Sequence, residues 1–170
     1  MADVSLNFRQ AAYAAETGRV LILLFTLEHA SLAEPILISS DPTVELTELS
    51  TPTEKVYGTI SNGNTFIFYP MNIKLPDDAD EGMGEMTLEI DNVHRSLVQT
   101  IRSISTPVTV KTEIILDNDL DTVEVSWPEF ILSNISYNAT TISGTLRPEL
   151  LEKEPFPAGS FTPSYFRGMF

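Results

Sequence analysis

The sequence predicts an α+β fold: a β-rich antiparallel barrel or sandwich with two helices and an extended C-terminal strap. Three observations predict it. Short apolar runs rich in β-branched and aromatic residues recur between turn signals along most of the chain. Only two stretches have helical character, too few to serve as the crossovers of a parallel sheet. The final stretch, Pro155–Phe170, mixes prolines, glycines and aromatics and suits neither a helix nor an inner strand.

The elements follow in order. Leu6–Glu16 is rich in Ala; Asp3 or Ser5 is placed to cap it, and Gly18 to end it in a left-handed turn. Arg19–Glu28 is a nearly continuous apolar run, which predicts an inner strand buried on both faces. Pro35–Ser39 reads as a second short strand, and Val44–Leu49 as a weaker one with imperfect alternation. Lys55–Ile60 and Thr65–Leu75 flank Ser61-Asn62-Gly63-Asn64. Asn-Gly predicts a hairpin because both residues tolerate positive φ. Pro70 in the second arm predicts a bulge or an edge.

Leu75–Gly84, acidic and carrying Pro76 and two glycines, predicts a loop. Gly84–Ile90 is a strand that alternates Met86, Leu88 and Ile90. Asp91 or Asn92 starts a second helix through about Ser103, with Val93, Leu97, Val98, Ile101 and Ile104 as its apolar stripe. Pro107–Leu116, Thr122–Leu132 and Ser133–Leu146 complete the strands, and Trp127-Pro128 breaks or bends the middle one. No repeat or low-complexity tract divides the chain. The expected organisation is one β-rich domain over 1–154 and a strap over 155–170.

Composition bounds the function. The 170 residues are 42% hydrophobic, with a formal net charge of −14 and a pI near 4.3. Such acidity opposes nucleic acid and anionic lipid, and no basic cluster offsets it. No apolar run is long enough to span a bilayer as a helix. Met1-Ala2-Asp3-Val4 lacks the basic and apolar regions of a secretory signal, so cytoplasmic synthesis is expected. Without cysteine there is no disulfide, thiol nucleophile or thiolate metal site.

Catalytic patterns are sparse, and the expectation is a non-enzyme without cofactor or metal. His29 falls in a loop after the buried strand; His94 falls near Asp91 at a helix start, and no strained serine elbow accompanies either. Asp117-Asn118-Asp119-Leu120-Asp121 has the spacing that opens a calcium loop. Thr122 then stands where the required glycine belongs, and Pro128 where the closing glutamate belongs. The acidic segment Asp77–Gly82 also falls short of the motif, so both read as solvated turns.

The strap concentrates the binding chemistry. Phe156, Phe161, Tyr165, Phe166 and Phe170 lie within it, whereas solvated tails are polar and poor in aromatics. It therefore requires a surface, either its own domain or a neighbouring subunit.

Several segments resemble a family of tailed-phage proteins of undefined biochemical function. They are Thr17-Gly18-Arg19-Val20-Leu21 followed by Ala33-Glu34-Pro35-Ile36, and Leu88 to Arg95 around Asp91-Asn92-Val93. The ending is similar as well: Pro155-Phe156-Pro157-Ala158-Gly159, Phe161-Thr162-Pro163 and Phe166-Arg167-Gly168-Met169-Phe170, with Arg167 where the family usually has proline. The resemblance covers nearly the whole chain. It implies a structural virion protein at the distal end of the tail, similar in role to the minor tail proteins of lambda-type phages. Implied partners are the distal tail protein, the hub or fibre protein, and further copies in a homo-oligomeric ring, a trimer or a hexamer. Two other classes stand beside this one: a cell-wall-directed hydrolase, and a carbohydrate-binding β domain using Tyr57, Tyr69 and Trp127.

Overall fold

The computed structural model describes residues 4–51, 55–75, 78–79, 82–91, 104, 106–138 and 141–148. The expected second helix after Asp91 and the strap at 155–170 lie outside the described residues.

Helix α1 spans Leu6–Tyr13. The Ser5 hydroxyl caps it by accepting from the Phe8 amide at 3.1 Å. Ser5 is itself anchored: its amide and hydroxyl donate to the two carboxylate oxygens of Glu124 at 2.8 and 2.5 Å. α1 has no buried residue, so this contact holds the helix to the sheet. The expected stop at Gly18 is corrected. The helix ends at Tyr13, with Ala14 extended; with no packed face, alanine propensity alone does not carry it further.

Among the described residues, twelve strands follow. They are β1 Leu21–Glu28, β2 Ile36–Ser39, β3 Val44–Glu45, β4 Tyr57–Ser61, β5 Asn64–Phe68 and β6 Met71–Lys74. Then come β7 Asp78–Ala79, β8 Gly82–Met83, β9 Met86–Asp91, β10 Val108–Leu116, β11 Asp119–Tyr137 and β12 Thr141–Pro148. Strands β7 and β8 form a small ribbon inside the expected loop. The other ten make one sheet in the order β3-β4-β5-β2-β1-β10-β11-β12-β9-β6. Every neighbouring pair is antiparallel except β2 and β5, which run parallel.

The architecture is β-rich, as expected, but the barrel or sandwich form is corrected. There is one mixed main sheet, and it does not close. Strands β3 and β6 stand at the two ends of the order and do not pair with each other, and the chain changes partners at Tyr69-Pro70. The expected strand Thr65–Leu75 splits there, β5 staying beside β2 and β6 crossing to β9. Isolated backbone bonds flank the break, from Tyr69 N to Ser39 O and from Asp91 N to Pro70 O. Proline has no amide with which to continue a ladder. Burial pushes the Tyr69 phenol above its ordinary value of 10.0.

β1 behaves as its sequence predicts. Phe25 and Leu27 point into the main core with Ile38, Met86, Val110, Phe130 and Leu146. Ile22 and Leu24 point the other way, into a second cluster with Phe66 and Ile115. Strand β9 buries Met86, Leu88 and Ile90 in strict alternation, also as predicted. Ile104 packs against the main core.

The turn between β4 and β5 is the predicted hairpin, with φ of 49° at Asn62 and 77° at Gly63. Trp127-Pro128 does not end its strand. The β10–β11 register instead skips between Thr112↔Trp127 and Val110↔Phe130, a bulge that β11 runs through. The expected strand Ser133–Leu146 is corrected to two elements, the end of β11 and most of β12. A second irregularity, between Ser133 and Ser136, contains Asn134 in the left-handed region at φ 52°.

Gly58 is a close-approach position. An added Cβ would meet the Phe66 carbonyl oxygen at 2.0 Å and Leu46 Cδ1 at 2.9 Å. Gly58→Ala must part β4 from β5, and is expected to cost about 1–3 kcal/mol in urea unfolding. Gly18→Ala, where nothing lies within 4 Å, should leave the midpoint unchanged or higher. The helix anchor gives a second expectation. Glu124→Ala leaves the Ser5 donors unsatisfied and should lower stability by about 1–3 kcal/mol. Part of the helical circular dichroism should disappear with it.

Candidate interaction surface

The residues with catalytic chemistry do not converge. His29 is clasped at both ring nitrogens. The Ser31 amide and hydroxyl meet Nδ1 at 3.1 and 2.7 Å, and Nε2 meets Thr106 Oγ1 at 2.5 Å. Since the Ser31 amide donates to Nδ1, Nε2 carries the proton and donates to Thr106. The geometry closes the β1–β2 loop onto the segment leading into β10. The adjoining hollow, about 160 Å³, is lined by Glu28, His29, Leu32, Ala33, Glu34 and Pro35. His94 lies outside the described residues. Among the described residues, no three His, Cys, Asp or Glu side chains group around a potential metal position.

The acidic turn Asp117–Asp121 has a structural use that its sequence does not announce. It receives the tip of the β4–β5 hairpin. Ser61 Oγ donates to the Leu120 carbonyl at 2.5 Å, and the Asn62 amide donates to Asp121 Oδ1 at 2.7 Å. Asn62 Nδ2 adds a bond to the Asp121 carbonyl at 3.0 Å. Asp121 is therefore a docking residue, not a free ligand. The acidic segment 77–82 is described only at its paired strands.

The aromatics considered as a carbohydrate platform are dispersed. Tyr69 is buried in the main core and Trp127 packs against it. Tyr57 is exposed on β4.

Four exposed apolar side chains lie at one edge of the sheet: Val44, Leu49, Tyr57 and Ile60 are each 41–49% exposed, with Val44 and Ile60 on one face and Tyr57 on the other. Here β3 and β4 border a groove of about 390 Å³ lined by residues 45–49, Ile60 and Thr65. Its wall is a built turn. The Leu46 carbonyl accepts from the Leu49 and Ser50 amides and from Ser50 Oγ at 2.9 Å. Ser50 Oγ in turn accepts from the Val56 amide at 3.0 Å. Leu46 lies over Gly58, the one residue type that leaves it room. Glu45 pairs with the exposed Lys55, whose ammonium is held above its ordinary range first by that hydrogen bond and then by the carboxylate charge.

Sequence reasoning missed this groove. Val44–Leu49 has neither a clean strand period nor a helical one, because two strand residues run straight into a turn. That turn buries Leu46 and exposes Leu49. The expected interaction residues Phe156, Phe161, Tyr165, Phe166 and Phe170 lie outside the described residues, so the structure does not place them against any surface.

These features define a β-rich domain with a partly apolar groove at one edge. The sequence matches the family described as a domain of unknown function (DUF1833) over residues 7–161, and the chain belongs to that family. No curated protein matches it.

His29 ties its loop down through both ring nitrogens. If the residue only clasps a loop, His29→Ala should cost about 1 kcal/mol in thermal unfolding, in line with exposed neutral hydrogen bonds.

Proposed function

We propose that this protein is a structural component of a phage tail tip, joining the distal tail tube to the hub and the host-contacting fibre. The observation that supports an assembly role is the exposure of Val44, Leu49 and Ile60 at a groove on one sheet edge. Apolar side chains gathered at one place are interface material, whereas scattered ones are not. The tail-tip placement rests on the resemblance of the sequence to tailed-phage proteins, above all in the closing segment 155–170.

In this reading the strap is the part that reaches neighbouring subunits. A segment on one copy that binds a different surface on the next is a heterologous contact, and such contacts close into rings. A trimer or a hexamer, sitting between the distal tail protein and the hub or fibre protein, fits that rule. The high net negative charge of −14 keeps free subunits apart until the strap contacts form.

The test is a chain ending at Glu154, expressed in place of the full-length protein during phage production. The expected outcome is soluble protein with unchanged thermal unfolding that is missing from purified particles. Aromatic hot spots at interfaces can each be worth more than ~2 kcal/mol, so loss of five aromatics together should abolish incorporation rather than weaken it. Normal incorporation would end the proposal. A truncated chain that no longer folds would show that the strap serves its own core.

A further inference from the structure

The core face of the sheet runs out into solvent at the β3–β4 edge. A row of paired residues crosses the sheet from Phe25 through Ile38, Ile67 and Gly58 to Val44. Paired residues share a face. The row therefore starts in the main core, with Phe25 0% and Ile38 1% exposed, and ends uncovered at Val44, 41% exposed. Ile60 projects on this same side, since it lies two residues from Gly58 on β4. The groove beside it is thus an extension of the core surface that the described chain does not cover. Leu46, Leu49 and Ile60 give it apolar surface, and Glu48 lines it as well.

Resting on the assembly reading, we infer that this groove seats the aromatic segment 155–170 of a second copy of the chain. The chemistry of the segment fits the groove on two counts. Its five aromatics match the apolar surface. Arg167 is its one charged side chain, so it brings a cationic side chain and no acidic one to Glu48. Most other stretches of this acidic chain would carry repelling carboxylates into the same place. Reach is no obstacle. Residues 149–170 follow the last described strand and extend at most ~3.3–3.6 Å each, or ~70 Å in all, enough to leave their own domain.

The natural chain has no cysteine, which makes the test direct. Full-length Ile60→Cys is combined in turn with Phe156→Cys, Phe161→Cys, Tyr165→Cys, Phe166→Cys or Phe170→Cys and oxidised with diamide. The control replaces Ile60→Cys by Val20→Cys, a comparably exposed apolar position at 47%. At least one Ile60 pair should cross-link tenfold or more faster than its Val20 counterpart, giving disulfide-linked dimers and higher multimers on non-reducing gels. Glu48→Lys should slow that reaction several-fold at low salt, and adding Arg167→Glu should restore it. Equal rates for the Ile60 and Val20 pairs would overturn the groove as the seat and leave the assembly reading to the truncation result. Fast closure within single chains would overturn the second-copy donor, and with it the strap as an inter-subunit link.

Discussion

Burial of β1 on both of its faces is the constraint from which the rest of the arrangement follows. A strand with Phe25 and Leu27 on one side and Ile22 and Leu24 on the other has no solvent face to offer. It must sit inside the sheet, and β2 and β10 flank it. It must also be covered twice. The first cover is the main core, to which β9, β11 and β12 contribute Met86, Phe130 and Leu146. The second uses Phe66 of β5 with Leu120 and Val123 of β11. That second cover explains why the β4–β5 hairpin reaches the β10–β11 turn and is fastened there through Ser61, Asn62 and Asp121. Each completely buried aliphatic or aromatic side chain contributes roughly 1.5–3 kcal/mol relative to exposure, so this strand outweighs the surface contacts.

The same run of chain that completes the core also changes partners within the sheet. At Tyr69-Pro70 the backbone leaves β2 and continues along β9, and a proline cannot donate at the crossing. A continuous strand at this point would have offered amides to both sides. β3 and β6 are the outer strands of the order. β3 is only two residues long, and a short edge strand limits unwanted pairing with other chains. Recognition at this edge thus falls to side chains rather than to free backbone groups. The proposed role in assembly uses that property, with the groove beside Ile60 receiving aromatic side chains.

Helix α1 shows the opposite way of attaching an element. It contributes nothing to the core, and its position depends on a carboxylate that is 6% exposed. A buried carboxylate is costly unless its lone pairs are used, and the Ser5 amide and hydroxyl use them. The cap and the anchor are one residue, so the start of the helix and its place on the sheet are set together. The His29 clasp works in a similar way on a smaller scale, tying a loop to the segment before β10 with hydroxyls from Ser31 and Thr106.

Local patterns by themselves determined several elements, though not the β7–β8 ribbon inside the expected loop. The apolar run of β1, the alternation of β9 and the Asn62-Gly63 turn each follow from periodicity or φ preference, which neighbours a few residues away decide. A helix starting at Asp3 or Ser5 was legible in the same way, whereas Pro70 signalled only a bulge or an edge and the split between β5 and β6 was not legible. The tertiary structure alone decided what no local window contains. Pairing of β2 with β5 in parallel, the passage of β11 through Trp127-Pro128, and the failure of the sheet to close depend on which distant strands compete for the same hydrogen bonds. Ser5 and Glu124 are 119 positions apart, and nothing near either one signals the other. The groove was illegible for the same reason. Leu46 and Leu49 look alike in sequence, and only the turn at Ser50 and the bare backbone of Gly58 send one inward and the other to the surface.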